Sequence, residues 1–359
     1  MMNKQALSLL EQLVAIPTPS GFEYDGMKLL GNYLKRASVS DLAIDVHGNL
    51  RAGLNTKAPL RVMIEGHCDE IGFLVQYVDE DGFLYMAPVG GVTVPTVASE
   101  RIVIQGKKGP VNGVFGGRPI HLMTAKERET AAPKELTDIA VDIGATSREN
   151  ALEMVDLGSP AVIDAGWLPL GNRRVACRGF DNRVGAFIVT EAMRRLAKEK
   201  INVALHMVAS VQEEIGLVGG YTTAYDINPH IGFCVDVTFA SDAQKQDKKS
   251  VGDVSLGKGP VLGVGPTYHP RLNELVLKAA QTRSMAVQRQ VRGRGTGTCA
   301  WAMRMTRSGA AVAQISVPVR YIHSPIETLS LDDVFQTIDL LVASVLAIPA
   351  DMDLLPKQL

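Results

Sequence analysis

Five short segments of this chain place acidic or imidazole side chains close to apolar runs. GHCDE supplies His67, Asp69 and Glu70 after the run 60–66. RGFDNRVG supplies Asp181 just ahead of a helical pattern. VQEEIG supplies Glu213 and Glu214 after 202–211. CVDVT supplies Asp236, and RYIHSP supplies His323 after ISVP. In open α/β sheets, sites form outside the carboxyl ends of strands. Taken singly, each residue reads more readily as a helix cap or a surface group. Taken together, five segments of hard or borderline donors point to a metal centre. Imidazole and carboxylate donors without thiolates suit Zn²⁺, Co²⁺ or Mn²⁺. Two His and three carboxylates exceed the needs of one catalytic zinc with an open position. They suit two ions that share a bridging carboxylate. Two ions about 3.5–4 Å apart can hold a hydroxide and polarise a carbonyl. A further carboxylate must then take the proton. The tandem Glu213-Glu214 meets both needs, one side chain as ligand and its neighbour as base.

The elements that must hold these residues follow from periodicity. An amphipathic helix over about 3–15 stops at Pro17 and Pro19. A second helix is predicted over 23–36. Residues 42–54 alternate like a strand around the turn His47-Gly48-Asn49, and 60–67 reads as a buried strand. From about 74 to 164 the chain is rich in Val, Ile, Gly and Thr, with turn signals such as Asp81-Gly82 and Gly109-Pro110. That pattern predicts a small β-barrel or sandwich, with one short helix near 150–157. Beyond about 165, helices (183–198, 218–224, 270–284, 299–308, 331–347) alternate with strands (202–211, 231–237, 286–291, 311–317). The fold class is therefore α/β: a mostly parallel sheet flanked by helices, in two pieces (1–73 and 165–359), interrupted by a β-barrel-like insert over 74–164. The polar stretch 241–253 reads as a mobile surface loop.

Bulk properties narrow the function classes. A chain of 359 residues fits two domains. Lys+Arg 37 against Asp+Glu 38 argues against a dedicated nucleic-acid binder. Cys68, Cys177, Cys234 and Cys299 form no CxxC pair, which fits a reducing cytoplasm. No apolar run has the length of a membrane span or the form of a signal peptide, so no membrane partner is predicted.

The set GHCDEIGF, FDNRVG, VQEEIGLVGG, VDVT and ISVPVRYIHSPIETLSLDDV resembles the glutamyl aminopeptidase family of dinuclear metallopeptidases, which includes the tetrahedral aminopeptidases. The early IPTPSGFE is similar to that family's N-terminal segment. The likeness runs over nearly the whole chain. It implies a catalytic α/β domain interrupted by a barrel-like dimerisation domain, and two divalent ions per subunit, Zn or Co first and Mn next. His67 and Asp236 would bind one ion, Glu214 and His323 the other, and Asp181 both. Glu213 would be the general base, and Asp69 would orient His67. The implied reaction is release of N-terminal residues from peptides by a metal-bound hydroxide. The implied assembly is a homo-oligomer, a dimer or a dodecamer of six dimers. Apolar strands in PTVASERIVIQG and GPVNGVFGG are compatible with a dimer interface.

Other readings share parts of this pattern. A deacylase of N-acyl amino acids would use the same metals and base. A non-catalytic scaffold would have no need of Glu213, and a glycosidase would leave both His without a role. One departure points to a catalytically weakened member. Family members commonly carry Gly-Thr-Asp-Ala where this chain has GTCA, so Cys299 stands at the Asp position. Cys299 is expected as a small buried residue without a chemical role, and a gain in turnover from Cys299→Asp would mark a compromised site. Arg292 and Arg294 could meet an acidic substrate side chain, but a solvated pair is the favoured expectation.

Overall fold

The computed structural model describes residues 4–117, 119–125, 128 and 133–355. Four strands form the middle of the main sheet: Ala204–Ser210, Arg61–His67, Ile231–Phe239 and Ala311–Arg320. They run parallel and are buried almost throughout. That burial is why runs such as VMIEGH and IGFCVDV show little polar alternation. Among the described residues the sheet has eleven strands. Its margins are antiparallel. The hairpin Asp41–Ile44 and Leu50–Leu54 closes one side. Glu327–Ser330, Arg174–Cys177 and Leu168–Pro169 close the other. These pieces have two to five residues, too few for most of them to show a period of two in the sequence.

Strand alternation assigns the two faces. Val62 and Ile64 pack with the helices Lys4–Ala15, Tyr24–Arg36, Phe180–Leu196 and Leu331–Leu346. Met63 packs on the opposite face with Val208, Cys234, Cys299 and Met303, beneath the helices Val218–Ile227 and Cys299–Arg304. The latter helix ends four residues earlier than its apolar pattern suggests. Two glycines let the helix Phe180–Leu196 settle on the sheet. A Cβ on Gly66 would lie 2.5 Å from the Gly185 carbonyl carbon, and one on Gly185 would lie 2.5 Å from the Val235 oxygen.

Among the described residues the insert is a closed six-stranded barrel, with strands from Gly72–Val78 to Pro160–Ile163. Its own core includes Phe73, Val75, Met86, Ile102, Ile104, Phe115 and Val141. Closure pairs every strand edge, so the barrel can stand as a unit. The chain enters it directly after Glu70, so the barrel sits beside the ends of the parallel strands. The stretch 241–253, read as a mobile loop, is tied down. Ser241 and Val254 exchange hydrogen bonds, and Arg320 grips Asp242 through two N–H groups at 2.9 and 2.7 Å. It holds a short helix, Lys248–Val251. Among the described residues no helix is long and apolar enough to cross a membrane.

Candidate metal centre

His67 ends its strand, and its ring is 2 % exposed. Asp69 turns back beneath it, with its carbonyl oxygen 3.2 Å and its Oδ1 3.3 Å from Nδ1. The same carboxylate accepts the Ser20 hydroxyl at 2.5 Å and the backbone N–H groups of Glu213 and Glu214 at 3.0 and 3.1 Å. One side chain therefore aims the imidazole and pins the Glu213-Glu214 loop. Burial pushes the Asp69 carboxyl up, but the His67 contact and these hydrogen bonds outweigh it and hold it below the usual range. The loop leaves its strand sharply, with Gln212 at φ 55°, a left-handed conformation that non-glycine residues adopt chiefly where the surroundings hold it.

Asp181 and Asn182 lie inside the span Phe180–Leu196 but leave helical φ/ψ, and the peptide between them is cis. Asn182 donates to the Val235 carbonyl at 2.9 Å, which ties Asp181 to the strand that carries Asp236. Asp236 lies three residues before the end of that strand. His323 follows the strand Ala311–Arg320 at φ 61°.

These side chains converge. His67 Nε2 lies 3.5 Å from Asp181 Oδ1, 3.7 Å from Glu213 Oε2 and 3.9 Å from Asp236 Oδ1. His323 Nε2 lies 3.3 Å from both Asp181 Oδ2 and Glu214 Oε1. Three groups have donor atoms within 4.8 Å of one another: His67–Asp181–Asp236, Asp181–Glu214–His323 and His67–Glu213–Glu214. The first two share Asp181, each of its oxygens facing a different imidazole.

A cation-binding site should show charge that the protein alone leaves unbalanced, and this one does. Burial, then the neighbouring carboxylates, pushes Glu213 up to about 9. Burial also raises Glu214 and lifts Asp236 well above the usual carboxylate range. Contacts with Asp181 and Glu214 push His323 up to about 11. Among the described residues Glu214 Oε1 is buried with only the His323 imidazole facing it. Four carboxylates here match the charge of two divalent ions, and the donor types suit Zn²⁺, Co²⁺ or Mn²⁺.

A stability prediction follows. A carboxyl whose folded pKa is raised binds protons that the unfolded chain has released, so ionising it costs stability. For Glu213 this window runs from 4.5 to about 9. A His raised from 6.5 to about 11 also loses its contribution as pH rises. The metal-free protein should therefore melt at progressively lower temperature from pH 5 to 9. Scanning calorimetry after chelation tests this, and added divalent ion should reverse the loss by binding the folded state.

Two groups that hold the centre were not singled out from the sequence. Glu327 accepts the Asp181 N–H at 2.9 Å and the His323 N–H at 3.1 Å, one on each oxygen. It stands four residues after His323 within the segment PIETL, and this short spacing was the available signal. The second is the Gly91 carbonyl, contributed by the barrel, 3.1 Å from His323 Nδ1. A proton on Nδ1 bonded there leaves Nε2 free to face the cluster. Glu70, by contrast, points away from the donors. It pairs with Arg183 at 3.0 Å and accepts the Thr18 N–H at 3.0 Å.

Beyond the donors opens a cavity of about 570 Å³, bounded by Thr238, Phe239, Ser250, Gln314 and the segment 291–298. Arg292 and Arg294 both line it but are not a solvated pair. Arg294 is exposed. Arg292 donates to Thr238 Oγ1 at 2.9 Å and Gln290 Oε1 at 3.0 Å, with its guanidinium 5.8 Å from the Phe239 ring centre.

The fold that carries this cluster recurs in known proteins. The family profile described as M42 glutamyl aminopeptidase matches residues 48–340. The chain belongs to the M42 glutamyl aminopeptidase family. It is 35% identical over 333 residues to a lysyl aminopeptidase of Pyrococcus furiosus, covering 92% of this chain and 94% of that protein. An aminopeptidase structure from the archaeon Desulfurococcus kamchatkensis superposes with a TM-score of 0.89 at 33% identity, over 97% of this chain and 96% of that one. A TET1 peptidase of Pyrococcus horikoshii, described as assembling into a tetrahedron or a large octahedral shell, superposes at 0.82 with 29% identity, over 96% and 100%. Membership makes this M42 protein a peptide-bond hydrolase with candidate metal-binding groups.

Proposed function

We propose that this protein is a dinuclear-metal aminopeptidase that releases N-terminal residues from peptides. The observation that carries the reading is the pair of three-donor groups sharing Asp181, with Glu213 beside them. His67 and Asp236 would hold one ion, Glu214 and His323 the other, with Asp181 common to both. Bound there, divalent ions would supply Lewis-acid polarisation of the scissile carbonyl and make water a better nucleophile. Glu213 takes the proton of the attacking water and delivers it to the leaving amine. Asp69 keeps His67 oriented and the Glu213 loop in place. The substrate's free α-amine would be held by an ion or a nearby carboxylate, which would restrict cleavage to the chain end. The thiols are all unpaired, in keeping with a reducing cytoplasm. The assembly of the P. horikoshii relative supports a homo-oligomer, in which the insert, residues 74–164, would serve as the dimerisation domain.

The cavity wall supports an acidic preference. Among the described residues Arg292 has no carboxylate partner, only the neutral acceptors Thr238 and Gln290. A guanidinium held in a fixed orientation in a partly buried wall recognises a carboxylate through charge-assisted hydrogen bonds. Glutamyl anilide should exceed its neutral isostere glutaminyl anilide about 10- to 100-fold in kcat/KM, the worth of one such bond. Arg292→Met should erase that ratio.

The test is metal analysis of the purified protein together with a panel of aminoacyl anilides, including the Glu and Gln pair, and N-acyl amino acids. Two ions per chain and hydrolysis of unblocked substrates are expected. Activity confined to N-acylated substrates would overturn the aminopeptidase reading in favour of a deacylase.

A further inference from the structure

Directly beneath the centre lies a carboxylate that the mechanism does not use. Glu65 is fully buried, two residues before His67 and on the same side of the strand. Its Oε1 accepts the Ser210 hydroxyl at 2.5 Å, and among the described residues its Oε2 has no hydrogen-bond partner. Cys234 pairs with it in register across the sheet, and the thiols of Cys234 and Cys299 lie against the carboxyl.

Glu65, Ser210 and Cys234 sit on the elements that carry His67, the Glu213-Glu214 loop and Asp236. Ser210 ends the strand that leads to Glu213 and Glu214, and it pairs in register with His67. Cys234 stands two residues before Asp236. Cys299 opens the helix Cys299–Arg304, directly after the segment that bounds the cavity. The layer is tight. A Cβ on Gly220, from the helix above, would lie 2.7 Å from Cys299 Sγ. A buried acid in a close-packed layer persists only where something is gained from it.

We propose that Glu65 is a positioning residue: it fixes the spacing of His67, the Glu213-Glu214 loop and Asp236, and Cys299 is a thiol because Glu65 already supplies the single carboxyl this layer accommodates. The proposal rests on the assignment of those residues as metal donors. It changes the meaning of Cys299. The thiol is a small buried side chain, as expected, but it does not mark a weakened site. An Asp at 299 would set a second carboxyl against Glu65, and burying two unpaired acids together is costly. Moving the carboxyl from 65 to 299 should be tolerated, whereas doubling or deleting it should not.

The experiment is a double-mutant cycle on the full-length protein with Glu65→Ala, Cys299→Asp and both together. It reads Co²⁺ affinity by chelator competition, the visible spectrum of the Co²⁺ form, and kcat and KM separately. Each single variant should bind Co²⁺ at least about 10-fold more weakly, the range seen when a group behind a metal ligand is lost. Each should have an altered spectrum, and the loss should fall on kcat rather than KM. The double variant should return to within about threefold of wild type on all three readouts. Glu65→Gln, which keeps the acceptor for Ser210, should do the same. Ser210→Ala carries the test if Glu65→Ala is not recovered folded. It should weaken Co²⁺ binding about threefold, and Co²⁺ binding equal to wild type in that variant overturns the proposal. So does a wild-type spectrum in Glu65→Ala, a gain in turnover from Cys299→Asp alone, or a double variant no better than either single one. If wild type binds no Co²⁺, the donor assignment fails instead.

Discussion

Replacing Glu213 by Gln should lower kcat at least about 10³-fold, close to 4 kcal/mol in the barrier, while both ions remain bound. The substitution keeps the size and the hydrogen-bonding reach of the side chain but removes its ability to accept a proton. Nothing else in the cluster can take over. Asp181, Asp236 and Glu214 are each members of a donor group centred on one of the two imidazoles, and the Asp69 carboxylate already accepts three hydrogen bonds and faces His67. Glu213 is also a member of one group, with His67 and Glu214, so activity alone does not separate a base from a ligand. Metal stoichiometry separates them. A variant with two ions and no turnover identifies the base, whereas loss of one ion together with turnover would move Glu213 into the ligand set.

Replacing Asp181 by Ala should have a different signature. Its two oxygens face different imidazoles, Oδ1 at 3.5 Å from His67 and Oδ2 at 3.3 Å from His323, so both ions should be lost together. Affinity should fall by more than about 100-fold, beyond what is lost when only a supporting partner is removed, and turnover with it. Glu214→Ala removes a donor from one side only and should leave the His67–Asp181–Asp236 group able to hold an ion. Isothermal titration with Zn²⁺ or Co²⁺ distinguishes the two cases. One ion retained by Asp181→Ala would show that the bridge lies elsewhere.

Glu327 shows why part of the centre escaped sequence reasoning. His67, Asp181, Glu213, Glu214, Asp236 and His323 each stand close to an apolar strand or open a helix, and a strand end is a position that periodicity marks. Glu327 begins a four-residue strand and acts on backbone N–H groups rather than on a ligand. Only its four-residue spacing from His323 separates it from an ordinary surface acid. Glu70 shows the converse. It shares the segment that carries His67 and Asp69, yet its side chain turns to Arg183, 113 positions away in the chain.

The amino-acid sequence by itself determined the family, the α/β class with its β-rich insert, and the set of candidate donor side chains. These are written in short local patterns: apolar runs, turn residues and acids or imidazoles at their ends. Only the tertiary structure decided which donors share Asp181, that one barrel carbonyl orients His323, that Arg292 is anchored while Arg294 is exposed, and that Glu65 meets Cys299. The physical reason is common to all four. Each joins segments distant in sequence through side-chain geometry, and strand or helix periodicity constrains the direction of a side chain but not the identity of the residue it meets.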